Sequence, residues 1–232
     1  MSDQRYAPPM AALAEPALRS GGGGLIDIGE AFRQAWGAVW PNLGLLLGAS
    51  IVSGLVALLS ACTLIGVVVV WPVLWWGWWR LLLNVLDGEG EVRDLFSGFE
   101  SYRENLSGML NLSGLMLVIM LAGQSVSHLG QVVHSMPLMV LGTVASMGWS
   151  IGVMPRLSFV WYFLVDQRLT PSEAVRASWD ATANQLGLCF LLGLVSGLTT
   201  MLGFLFLIVG VIPAAFVASL MQAAAYRQLA GR

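Results

Sequence analysis

The chain reads as an all-α polytopic membrane protein: a bundle of six transmembrane helices arranged as three hairpins, each preceded by an amphipathic interfacial helix. Three observations lead there. Of 232 residues, 57% are apolar and 10% charged, against about 25% charged in a soluble domain. The charges are segregated, because residues 34–79, 105–155 and 181–226 contain no Asp, Glu, Arg or Lys. Each run is long enough for two spans of about 20 residues. Such a composition excludes a soluble enzyme, a nucleic-acid binder and a disordered chain.

The elements follow in order. Residues 1–24, with Pro8-Pro9, scattered alanines and Gly21 to Gly24, read as a disordered tail and glycine linker without the basic start and cleavage site of a secretory signal. Residues 25–232 form the transmembrane domain. The first run divides into spans at 43–61 and 65–86, the second into 106–123 and 137–164 around a turn at 124–136, and the third into 185–200 and 204–226. Pro72 and Pro213 fall inside spans, which packed neighbours tolerate. Gly44, Gly48, Ser53 and Gly54, and likewise Gly187, Gly193, Ser196 and Gly197, read as seams where helix backbones approach closely. Cys62 and Cys189 lie at different depths and read as small apolar residues.

All eleven basic residues are arginine, and the net charge is −2. Every arginine lies late in a hairpin's second helix, between hairpins or in the end segments, and the three turns within the hairpins carry no charge. Under the positive-inside rule both termini and both inter-hairpin segments are cytoplasmic.

A repeat appears when the sequence is slid against itself by 143 positions. Glu30-Ala31-Phe32-Arg33 falls on Glu173-Ala174-Val175-Arg176, and Trp36 falls on Trp179. From position 30 to 55, 12 of 26 positions are identical. Each unit reads as a short amphipathic helix followed by a membrane hairpin. In the first, Ile28, Phe32, Ala35, Trp36, Val39 and Trp40 recur at helical spacing, and Asp27 with Glu30 has the form of a capping box. In the third, Thr170-Pro171-Ser172-Glu173 places an N-cap, a proline at N1 and a glutamate at N3. A degenerate copy begins at Glu91, with Val92, Leu95, Phe96, Phe99 and Tyr102 as its apolar stripe. Helices of this kind lie at the headgroup level.

No nucleophile–base set, phosphate loop or metal-ligand spacing is present, so neither catalysis nor a cofactor is expected. His128 and His134 belong to a polar outer turn. Trp71, Trp75, Trp76, Trp78 and Trp79, with Trp149, Trp161 and Tyr162, read as interfacial belts. The candidate residues for binding lipid or a partner are Arg80, Arg156 and Arg227, each late in or after the second helix of its hairpin, together with Arg33, Arg176, Trp36 and Trp179. The three late arginines are expected to snorkel outward to phosphates. The alternative turns them inward, paired with Glu30, Glu173 or Asp166, as a cationic floor under the bundle.

Asp94-Leu95-Phe96-Ser97-Gly98-Phe99 resembles a D-L-F-x-G-F segment of uncharacterised bacterial multi-pass membrane protein families. Asp166 to Ala174 and then Ser178-Trp179 are similar to their D-x-x-x-x-P-x-E-A and S-W segments. The resemblance extends over about residues 25–230 and reaches the membrane domain of some glycerophosphodiester phosphodiesterases. It implies a six-helix fold and no activity. The resulting expectation is a non-enzymatic scaffold or interaction protein that binds partner proteins or lipid headgroups at the cytoplasmic face. A small-solute or lipid transporter or channel is the alternative. The partners are the bilayer and a membrane or cytoplasmic protein, with no nucleic acid; no feature specifies the oligomeric state.

Overall fold

The computed structural model describes residues 24–205 and 207–231, so the tail falls outside it except for Gly24. All regular elements among these residues are helical: α1 (Ile28–Ala61), α2 (Leu64–Leu86), a 3-10 helix (Val92–Phe99), α3 (Tyr102–Val132), α4 (Met136–Gly152), α5 (Met154–Leu157), α6 (Val160–Gln167), α7 (Pro171–Thr182), α8 (Leu186–Leu205) and α9 (Leu207–Ala230). Five stretches are long and apolar enough to cross a membrane: Ile28–Ala61, Gly66–Leu86, Tyr102–Ser125, Met136–Gln167 and Leu186–Leu205. This is a membrane-embedded helical bundle. The sixth expected span falls in α9, which is not among those five.

Consecutive helices pack in pairs, α1 on α2, α3 on α4 and α8 on α9, and α9 also lies along α1. Exposed apolar side chains such as Leu58, Leu117, Val144 and Met201 cover the outside, where lipid rather than water is the solvent. The charged residues gather at one end. Arg227 of α9 pairs with Asp87 after α2, Tyr226 donates to Asp166 at the end of α6 at 2.7 Å, and the backbone of Asp27 before α1 bonds Gln228. The core is densest just inside that end, around Tyr162, Tyr226, Phe159, Leu81, Leu82 and Leu220. Tyr162 stacks on Tyr226 at 5.3 Å and meets the edge of Trp79 at 4.7 Å. Tyr162 and Trp76 are therefore core residues, whereas Trp71 and Trp75 stay exposed as belt residues.

The repeat holds in three dimensions beyond the identical letters. At the same offset of 143, the N-cap Asp27 of α1 falls on the N-cap Thr170 of α7, and the first residue of α2, Leu64, falls on that of α9, Leu207. The buried residues of α1 are Ala31, Ala35, Val39, Leu46, Ala49 and Ser60. Their counterparts Ala174, Ser178, Thr182, Cys189, Leu192 and Gly203 are buried in α7 and α8. Even a back-bond recurs: Asn42 Nδ2 donates to the Ala38 carbonyl, and Gln185 Nε2 to the Ala181 carbonyl.

Local structure departs from expectation at four places. The first unit has no separate interfacial helix, because α1 runs unbroken for 34 residues through Pro41, about 50 Å of helix. In the last unit, by contrast, the separate helix is present as expected: the chain breaks after Thr182, whose hydroxyl bonds the carbonyls of Ser178 and Trp179, a side-chain competition that weakens helices. The middle stripe forms a 3-10 helix, whose three-residue repeat turns Leu95 and Gly98 onto α2 and leaves Phe96, Phe99 and Tyr102 stacked on the surface. The fourth span is not one helix. It breaks at Val153, since Pro155 has no N–H to donate and crowds the preceding turn, and again before Val160, where Ser158 Oγ donates to the Pro155 carbonyl. The middle outer turn shrinks to residues 133–135, with α3 running past Gln124 and His128 until His134 adopts a left-handed φ of 52°.

The glycine seams are corrected as well. A Cβ on Gly44, Gly48, Gly54, Gly187, Gly193 or Gly197 would meet nothing within 4 Å. These glycines lie off the buried face. The close approaches are elsewhere: a Cβ on Gly77 would stand 1.9 Å from the Leu95 carbonyl oxygen, and one on Gly98 2.4 Å from that of Val73.

Candidate functional site

Those two glycines dock the 3-10 helix on α2, and the docking builds a polar cavity at the charged end. Arg80 and Asn84, one helical turn apart on α2, form its base. Across from them the 3-10 helix starts with a capping box, in which the Glu91 N–H donates to Asp94 Oδ2 at 2.9 Å. The cavity has a volume of about 530 Å³ and is lined by Arg80, Asn84, Arg93, Ser97 and the carboxylates Glu89, Glu91, Asp94 and Glu100. Ser97 Oγ is buried there without a hydrogen-bond partner.

Arg80 and Asn84 also line a second cavity of about 210 Å³, shared with Asp87, Asp166 and Arg227. Here Arg227 is turned inward. Its side chain is 17% exposed, its guanidinium binds Asp87, and its buried Nε has no partner. The Tyr226 hydroxyl donates to Asp166 and accepts from Gln167 Nε2 at 3.4 Å. The expectation of outward snorkelling is thus corrected for Arg227, and its partner is Asp87 rather than Glu30, Glu173 or Asp166. The floor is not purely cationic, since carboxylates outnumber guanidinium groups around Arg80. Asp87 and Glu89 come from a loop tied down by backbone bonds from Asp87, Gly88 and Glu89 to Leu83, Val85 and Asn84.

The remaining candidates lie apart from this site. Half-buried Arg156 stacks on Trp179, 4.5 Å from the ring centroid, and its carbonyl accepts from Ser178 Oγ at 2.6 Å. The arginine head is held by a cation–π contact that joins α5 to α7. Arg33 is exposed and bonded to Glu30, and Trp36 stacks on Phe32 and meets Trp40 edge-on. Arg176 is exposed on α7. Glu173 accepts from the Thr170 hydroxyl at 2.6 Å and the Thr170 N–H at 2.9 Å. The hydroxyl bond first, and then the N–H bond, hold its carboxyl below the usual carboxylate range.

His128 on α3 and His134 in the outer turn are both exposed. Among the described residues, no group of three or more His, Cys, Asp or Glu side chains is placed to hold a metal ion. Cys62 is exposed at the end of α1, and Cys189 is buried in α8.

Asn84, Asp87, Ser97 and the Glu89–Glu100 carboxylates escaped the sequence reading. The Arg80-x-x-x-Asn84 spacing was the available signal for one face of α2. The pairing of that face with the 3-10 helix had none. No protein-family model matches the chain, and neither the curated proteins nor the solved structures searched include a match.

Proposed function

We propose that this is a non-enzymatic integral membrane protein with six spans and both ends on the cytoplasmic side of a bacterial inner membrane, which engages lipid headgroups at its charged end. One observation carries the reading. The cavity around Arg80 sits where the apolar bundle ends and presents two guanidinium groups, of Arg80 and Arg93, with four carboxylates around one space. A group that bears both charges satisfies such a lining, with its phosphate on Arg80 through charge-assisted bonds and its ammonium among Glu89, Glu91 and Asp94. Phosphatidylethanolamine has that chemistry, whereas an anionic headgroup leaves the carboxylates opposed. The even number of spans and the arginines gathered at one end support the cytoplasmic placement. The resemblance to uncharacterised bacterial membrane families agrees with it.

The test is thermal melting of the detergent-purified chain with added short-chain phosphatidylethanolamine or phosphatidylglycerol. The aminolipid should raise the melting temperature more than the anionic lipid, and Arg80→Gln should abolish that difference. Equal shifts by both lipids, or a difference that survives in Arg80→Gln, would overturn the headgroup reading.

A further inference from the structure

The two repeat-related hairpins share a buried face but differ in how tightly they close. Between α1 and α2 lies an apolar cleft of about 300 Å³, lined by Ser50, Gly54 and Ala57 on one helix and Trp71, Trp75 and Trp78 on the other. At the offset of 143, Trp71 and Trp75 correspond to Ala214 and Ala218. Hairpin α8–α9 is shut at that place. A Cβ on Gly203 would stand 2.6 Å from that of Ala214, and Ser196, Val217 and Met221 are buried. Small residues let helix backbones approach. In hairpin α1–α2, two indole rings stacked at 5.8 Å occupy that space instead and hold the helices apart.

The cleft has a direction. It starts at Trp78, two residues before Arg80, and reaches Trp71 about 10 Å further along the helix, inside the charge-free run. Trp71 and Trp75 are 45% and 38% exposed at its rim, so it opens sideways onto hydrocarbon. Ser50 Oγ is turned back onto the Leu46 carbonyl at 2.8 Å, which removes a donor from the cleft. Ser53 supplies the one other hydroxyl of the lining, so water there would lack the two to four polar partners it needs.

We propose that this cleft binds one acyl chain of a phospholipid from the leaflet on the charged side, taken laterally from the bilayer. The proposal rests on the membrane embedding of α1 and α2 and not on the headgroup reading, because the cavity around Arg80 lies between α2 and the 3-10 helix. Loss of the Arg80 site therefore leaves it standing.

The experiment reconstitutes the full chain in phosphatidylcholine vesicles doped with phosphatidylcholine carrying a diazirine at mid-chain. After irradiation, adducts are mapped by mass spectrometry. They should concentrate on residues 50–57 and 71–78, above the lipid-facing stretch 194–202 of α8, in which Leu194, Leu198 and Met201 are exposed. Gly54→Leu fills the cleft, and a Cβ there meets nothing within 4 Å. It should lower adducts at 71–78 to the level of 194–202 while leaving those at 194–202 unchanged. Should Gly54→Leu fail to fold by circular dichroism, Ala57→Leu replaces it. Equal labelling of both hairpins, or undiminished labelling in the filled variant, would sink the proposal. So would labelling at 71–78 below that of α8, the result expected if a second copy of the chain covers the cleft.

Discussion

Arg227, in the last turn of α9, donates its guanidinium to the carboxylate of Asp87, the residue that caps α2, and so ties together the two repeat-related second helices. The arginine is 17% exposed and the aspartate 47%, which places the pair between a surface bridge and a buried one. Arg227→Gln and Asp87→Asn should each destabilise the bundle by about 1 kcal/mol. The double variant should lose little more than either single one, because both remove the same bond. Arg227→Lys should fall between wild type and Arg227→Gln, keeping charge but not the guanidinium fork. Melting curves in detergent decide it. Fully additive losses would mean that the pair is not coupled.

Gln228 holds the lead-in to α1 from both sides. Its Oε1 accepts from the Asp27 N–H at 2.7 Å and its Nε2 donates to the Asp27 carbonyl at 3.1 Å. Gln228→Leu should cost about 1–2 kcal/mol and speed hydrogen exchange at Asp27. Unchanged exchange there would show that the strap holds without this side chain.

Gly77 and Gly98 are the positions least able to accept a methyl group. The atoms facing them are backbone, the Leu95 and Val73 carbonyls, and cannot swing aside as a side-chain tip would. Gly77→Ala and Gly98→Ala should each destabilise by about 3 kcal/mol, the upper end of overpacking. Both should also make the segment 91–99 protease-sensitive. Gly54→Ala, with open space around its Cβ, serves as the neutral control.

The Glu173 cap makes the start of α7 pH-dependent. Its carboxyl titrates lower in the folded chain than the ordinary value of 4.5, so its contribution is fully present above that value. It is lost as pH falls through the depressed value. Amide exchange at residues 170–174 should accelerate on acidification through this window, and Glu173→Gln should flatten the dependence. A profile unchanged by Glu173→Gln would assign the effect elsewhere.

Topology is testable with the native thiol. Cys62 is exposed at the charge-free end and Ser172 at the charged end. On intact cells an impermeant maleimide should label Cys62 in a Cys189→Ala background. It should not label Ser172→Cys in a cysteine-free one. The reverse pattern would invert the proposed orientation.

The helix ends legible in the sequence are those where chain-local chemistry decides. The α1–α2 turn at Cys62-Thr63 and the start of α7 at Thr170-Pro171 fall within a residue or two of expectation, because capping groups and proline act on their own neighbours. The same unit nevertheless makes one helix through Pro41 and two around Asn184, and letters at single positions do not reveal which outcome wins. The glycine seams failed for a related reason. Glycine permits close approach, but only the direction of the buried face determines whether a neighbour arrives.

By itself the sequence determined that the chain is helical and membrane-embedded, where its charges gather, and that residues 27–55 recur at 170–198. These follow from solvent preference and periodicity, which each segment carries alone. The tertiary structure decided that Arg227 turns inward to Asp87, that the 3-10 helix closes a mixed-charge cavity over Arg80, and that tryptophans hold one hairpin open where alanines shut its counterpart. Each of those depends on atoms brought together from distant parts of the chain, whose mutual geometry no local pattern encodes.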